Sequence, residues 1–133
     1  MSILRPRRQK TRYCAVCGAF CKLCSLISSA SNVVIMGHSN PDFDSVGACV
    51  GVAALAKHLD VDAKIVIDTE NQNFKNCTAK LFELEEYKNT FVDGIVGLEH
   101  CEFGSLLIVV DANNFKILEA PEIATHSLKT VLI

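Results

Sequence analysis

The hydrophobic positions of this chain fall into short unbroken runs separated by mixed polar and apolar segments. Strand-like stretches are Val33–Met36 (VVIM) and Leu106–Val110 (LLIVV), and Ala63–Ile67 (AKIVI) and Lys129–Ile133 (KTVLI), which include Lys64, Lys129 and Thr130. Four apolar residues in a row, as at Val33–Met36, suit a strand covered on both faces, as in a parallel sheet. The intervening segments predict helices over Thr11–Ser28, Ser45–Leu59, Asn76–Lys88 (with Leu81, Phe82 and Leu84 as its buried positions) and Ala120–His126, where Pro121 occupies the first turn. Phe91–Cys101 is ambiguous, with a short helix expected around Ile95–Leu98. Strands alternating with helices predict an α/β, Rossmann-like, mostly parallel sheet flanked by helices. Val131, Leu132 and Ile133 read as a buried strand with nothing after it, so the fold is expected to be incomplete at the C-terminus, a piece of a longer protein.

Residues 1–11 read as a basic arm or linker and residues 12–133 as one domain, large enough for a hydrophobic core. Half the residues are hydrophobic, which excludes a disordered chain, and no run has the apolar length of a bilayer span. The basic N-terminus lacks the apolar region of a secretion signal, so a cytoplasmic location is expected. The formal net charge of −2 hides an asymmetry: residues 1–41 carry six basic residues and no acid, whereas residues 42–133 carry seven basic against fifteen acidic ones. Such an arm suits either a solvated linker, the favoured reading, or contact with nucleic acid or an anionic membrane.

Seven cysteines without a secretion signal argue for reduced thiols. Four of them, Cys14, Cys17, Cys21 and Cys24, have the spacing C-x2-C-x3-C-x2-C. That spacing puts all four on one face of a helix. Structural zinc sites separate their paired cysteines with a longer insert, which is missing here, so a packed stripe is favoured over a metal centre.

The stretch Val33–Gly51 holds the chemistry. Gly37 lets the backbone leave the strand tightly, and Pro41 disfavours helix at Asn40, so a polar loop runs on until Asp44 or Ser45 caps the next helix. The loop carries His38, Asp42 and Asp44, an imidazole and two carboxylates of the kind that holds a hard divalent cation. On spacing alone, a metal site and ordinary capping are equal readings. Asp111 ends another strand directly. In parallel sheets, ligands gather beyond the carboxyl ends of strands at a switch in strand order, so neighbouring strands would bring Asp111 to the same spot. Asp68 also ends a strand, but it has no histidine partner and is left out.

Gly37–Ala48 (GHSNPDFDSVGA) resembles the first motif of the DHH phosphoesterases, and Leu106–Ile123 (LLIVVDANNFKILEAPEI) resembles their second motif and its continuation. The nearer resemblance is to the cyclic-di-AMP phosphodiesterase branch, whose larger members carry membrane helices, so a parent protein anchored in a membrane is an expectation. The resemblance implies two manganese ions: His38 and Asp42 on one, Asp44 on the second, and Asp111 bridging both. It implies hydrolysis of cyclic di-AMP or short oligonucleotides. The implied partners are that substrate, the C-terminal part of the parent (with the Asp-His-His motif and the DHHA1 substrate-binding domain) and a second copy in a homodimer. Asn113, Asn114 and Phe115 stand where relatives often show a His-Arg-Pro-like stretch.

Three other readings stay open: a relative cutting phosphomonoesters or pyrophosphate, an inactive metal- or nucleotide-binding fragment, and a cysteine-ligated metal protein. The packing reading of the four cysteines, set against the last of these, makes a direct prediction. Replacing Cys14, Cys17, Cys21 and Cys24 together by Ala or Val is expected to leave a folded protein by circular dichroism, whereas stoichiometric zinc and unfolding on chelation would overturn the packing reading.

Overall fold

The computed structural model describes residues 18–81, 83–127 and 129–133. The basic arm, the first part of the expected N-terminal helix, Cys14, Cys17 and Phe82 lie outside them. Five parallel strands form one sheet: β1 (Val33–Met36), β2 (Ala63–Val66), β3 (Phe91–Val92), β4 (Leu106–Val109) and β5 (Thr130–Leu132), in the order β3-β2-β1-β4-β5. The central strand β1 pairs residue for residue with β2 on one side and β4 on the other, from Val33 opposite Ala63 and Leu106 to Met36 opposite Val66 and Val109.

Burial explains the unbroken apolar runs. Val34, Ile35 and Met36 are wholly inaccessible, so both faces of β1 are covered. Side chains alternate across a strand, and the two faces build separate cores. Val33, Ile35, Ile65, Leu106 and Ile108 pack with Ile27 of α1 (Gly18–Ser29), with Val46, Cys49, Val52 and Ala56 of α2 (Phe43–His58), and with Phe74 of α3 (Gln72–Thr78). Val34, Met36, Val66, Leu107 and Val109 pack with Leu118, Ala120 and Ile123, the last on α5 (Pro121–His126), while Leu98 of α4 (Gly94–Glu99) seals the margin. Full burial of one such side chain is worth about 1.5–3 kcal/mol.

Several elements differ from the sequence expectation. Helix α2 starts at Phe43 because Asp42, rather than Asp44 or Ser45, is its cap: the Asp42 Oδ1 accepts the Ser45 N–H at 2.9 Å. The helix expected over Asn76–Lys88 lies earlier and is shorter. Asn71 caps α3 by accepting the Asn73 N–H, and buried Phe74 anchors it edge-on against Phe91 at 5.2 Å between ring centres. After Thr78 the chain turns into a single 3-10 turn at Glu85–Tyr87, which leaves Leu84 exposed and Leu81 half-buried. Phe91–Val92 is a strand as well as the approach to α4, which Asp93 caps. Strand β5 is an edge rather than a buried strand, with Leu132 and Ile133 well exposed. On α1 the residues packed on the core are Leu23, Leu26 and Ile27, and the described cysteines Cys21 and Cys24 are half-buried.

Gly37 fixes how closely the end of β1 approaches α2. A Cβ there would stand 2.2 Å from the Ser45 Oγ, and Ser45 is buried. Gly37→Ala is therefore expected to cost about 1–3 kcal/mol by denaturant unfolding, and adding Ser45→Ala, which removes the clashing oxygen, should recover most of that loss.

Candidate metal centre

The strand order reverses between β1 and β4, so chain segments leave their carboxyl ends side by side. The Val110 N–H still bonds the Met36 carbonyl at 3.0 Å, carrying the pairing one step past the strands. His38 follows from the first of these ends and Asp111 from the second.

His38 is held by a short antiparallel clamp. The Ser39 N–H donates to the Ile117 carbonyl at 2.7 Å and the Glu119 N–H donates to the Gly37 carbonyl at 3.1 Å, with His38 opposite Leu118. Asp42 is fixed by its cap, which occupies Oδ1 and leaves Oδ2 turned to His38 Nε2 at 3.9 Å. Asp111 has φ +51°, a left-handed conformation that Asp tolerates better than most residues. Its N–H donates to the Ile133 carbonyl at 3.1 Å, and its Oδ2 lies 3.5 Å from His38 Nε2.

Ligand atoms of His38, Asp42 and Asp111 thus lie within 4.8 Å of one another, the single grouping of this kind among the described residues. Cis ligands of an octahedral cation with bonds near 2.1 Å stand about 3 Å apart, so small side-chain movements would close this set around one ion. The donors are hard oxygens and one imidazole, suited to manganese or magnesium rather than to a thiolate-loving metal. His38 is 18% exposed, whereas Asp42 and Asp111 are 61% and 48% exposed, so one side is open for water or substrate oxygens. Asp44 stands outside the grouping. It lies two residues past the cap and is exposed on the first turn of α2.

Two neighbours carry perturbed protons. Burial, helped by the Asp111 carboxylate, pushes the Cys49 thiol up to about 12, and Cys49 is not among the grouped ligand residues. Glu119 is the residue that the hydrophobic pattern could not flag. Its Oε1 accepts the Asp68 N–H at 2.9 Å, tying the clamp to the end of β2, while its Oε2 is buried without a hydrogen-bond partner. Burial raises its carboxyl above the ordinary value; the Asp68 hydrogen bond opposes this, the Asp68 charge adds to it, and the His38 charge lowers it.

Residues 32–133 match the model of the DHH family, N-terminal domain. The chain is 31% identical over 90 residues to the cyclic-di-AMP phosphodiesterase GdpP of Bacillus subtilis (strain 168), an alignment covering 66% of this chain and 14% of that protein. It is 29% identical over 111 residues to the cyclic-di-AMP phosphodiesterase PdeA of Listeria monocytogenes serotype 1/2a (strain 10403S), covering 81% of this chain and 17% of that protein. The matched part of the chain therefore spans less than a fifth of either relative.

The Glu119 environment generates a pH prediction. A carboxyl whose pKa is raised on folding contributes stability below its unfolded pKa and loses it as pH rises through the folded one. Glu119→Gln keeps the Oε1 acceptor and cannot ionise. Its melting temperature relative to the wild type is therefore expected to rise as pH increases from about 4 to above the raised Glu119 value; a difference constant across that window would contradict the burial effect.

Proposed function

We propose, because the chain belongs to the DHH family, that it is the N-terminal part of a metal-dependent phosphodiesterase acting on cyclic di-AMP or short oligonucleotides. The observation that carries this reading is the convergence of His38, Asp42 and Asp111 at the reversal of strand order. Both named relatives are cyclic-di-AMP phosphodiesterases, which supports the choice of substrate.

Two manganese ions are the proposed cofactors, one held by His38, Asp42 and Asp111, the other by Asp44 with Asp111 as bridge. When bound, such ions supply charge neutralisation for the phosphate, a lowered pKa for the attacking water and stabilisation of the leaving oxygen. This chain's own part is to present Nε2 of His38 and Oδ2 of Asp42 and Asp111 toward one point. The cap on Asp42 and the clamp on His38 hold those atoms in place before substrate arrives, and the exposed sides of Asp42 and Asp111 leave an approach for a phosphodiester.

Residues 12–133 are then the N-terminal portion of a larger phosphoesterase domain. The proposed partners are the C-terminal DHH/DHHA1 part of the parent and a second copy in a homodimer, and the proposed location is cytoplasmic, on a parent that is membrane-anchored. Among the described residues no helix is long and apolar enough to cross a membrane.

Asp44 lies outside the three-residue grouping, which favours an ion-binding chain with little turnover of its own. Residues 1–133 alone are expected to bind about one manganese ion weakly, by electron paramagnetic resonance titration, and to hydrolyse cyclic di-AMP negligibly. A longer protein including the C-terminal part should turn over, and Asp111→Asn, which keeps a residue tolerant of the left-handed backbone, should abolish that turnover. Robust manganese-dependent hydrolysis by residues 1–133 would refute the ligand assignment.

A further inference from the structure

Glu119 holds a place in the fold that explains one of its oxygens and leaves the other over. It follows Leu118, the residue opposite His38 in the clamp, and its N–H donates to the Gly37 carbonyl at 3.1 Å. Its Oε1 accepts the Asp68 N–H at 2.9 Å, whereas its Oε2 is buried with no hydrogen-bond partner. A tether to Asp68 needs only one neutral acceptor, which a glutamine would supply without bringing a charge below the surface. A buried acceptor left unpaired costs free energy, and more so when it is charged. The carboxylate is accounted for once its charge has a use.

The group in reach of that charge is His38. Burial raises the Glu119 carboxyl, and the His38 charge is among the influences that lower it, so the imidazole stands within electrostatic range. His38 faces Asp42 and Asp111 through Nε2, at 3.9 and 3.5 Å, which leaves Nδ1 for a different partner. A neutral imidazole carries one proton on one of its two nitrogens. Asp42 and Asp111 draw that proton to Nε2, where it would block ligation. A carboxylate serving Nδ1 draws it the other way and leaves the Nε2 lone pair open. Ligating histidines commonly donate their second N–H to an acceptor of this kind, which fixes both tautomer and ring orientation.

We propose that Glu119 is a positioning residue for the metal centre: its Oε2 takes the Nδ1–H of His38, directly or through one water, and keeps Nε2 free to face the ion. The assignment rests on the metal-centre reading and adds to it the residue that sets the state of its only nitrogen ligand. Glu119 itself touches neither ion nor substrate. One carboxylate then has two separate duties, Oε1 securing the clamp to the end of β2 and Oε2 setting the ring that the clamp carries.

The test uses residues 1–133 with ring-labelled histidine, with magnesium as a diamagnetic probe for NMR and manganese for affinity by electron paramagnetic resonance. The His38 signals are identified by their loss in His38→Ala. With magnesium, the wild type should show His38 with its proton on Nδ1. Glu119→Gln keeps an acceptor for the Asp68 N–H but sets an amide NH2 toward the ring. It should lose the Nδ1–H signal and bind manganese about 10- to 100-fold more weakly, with its circular dichroism unchanged. Glu119→Ala, which also lacks the carboxylate, should lose at least as much. Glu119→Gln that binds manganese like the wild type, or that keeps the Nδ1–H signal, would overturn the assignment and reduce Glu119 to a tether. The same holds for a magnesium-loaded wild type with its His38 proton on Nε2. A wild type in which neither ion perturbs His38 defeats the metal-centre reading, and this assignment with it.

Discussion

The in-register parallel pairing of β1 with β4 is the constraint on which the rest depends. Each strand is four residues long and buried on both faces, so neither can slide by one residue without sending its whole set of side chains to the opposite core. With Met36 opposite Val109, the chain leaves both strands at the same level. Residues 73 positions apart in sequence, His38 and Asp111, then meet because the strands they follow are paired. The cores on the two faces of the sheet are what hold the centre in place.

Around that meeting point the polar groups are shared between folding and chemistry. Asp42 uses one oxygen to start α2 and turns the other toward His38. The segment 117–119 closes a clamp on residues 37–39 and, through Glu119, reaches the end of β2. The loop is thereby bound to its own helix, to the following β2 and to the connection after β4. A loop tied at three points loses little further freedom when it takes up a ligand, which favours binding.

Much of this was legible in the chain. The apolar runs located the three interior strands to within a residue; β1 and β4, covered on both faces, have no polar positions to blur them, and β2 has only Lys64. The cluster at the ends of β1 and β4 followed from the rule about strand-order reversal once a parallel sheet was assumed. What escaped was decided by tertiary contacts. The acid-rich, periodic look of 76–88 suggested a helix, but the Asn71 cap and the Phe74–Phe91 contact drew the helix earlier. Phe91–Val92 is too short to register as a pattern, and the burial of Glu119 comes from a neighbour 51 positions away. Asp44 lies on the first turn of α2, outside the grouping of His38, Asp42 and Asp111.

The double employment of Asp42 limits how this scaffold can diverge. Asp42→Glu would push the carboxylate out by one methylene and forfeit the cap, while Asp42→Asn would keep the cap and surrender the negative charge. Neither single step preserves both duties, so inheritance of the helix start carries the ligand with it. Descendants that change their preferred ion would find less resistance at Asp111, whose side chain has no cap to maintain, or in the water-facing half of the coordination sphere. The loop is in this sense evolutionarily stiff at one position and permissive around it.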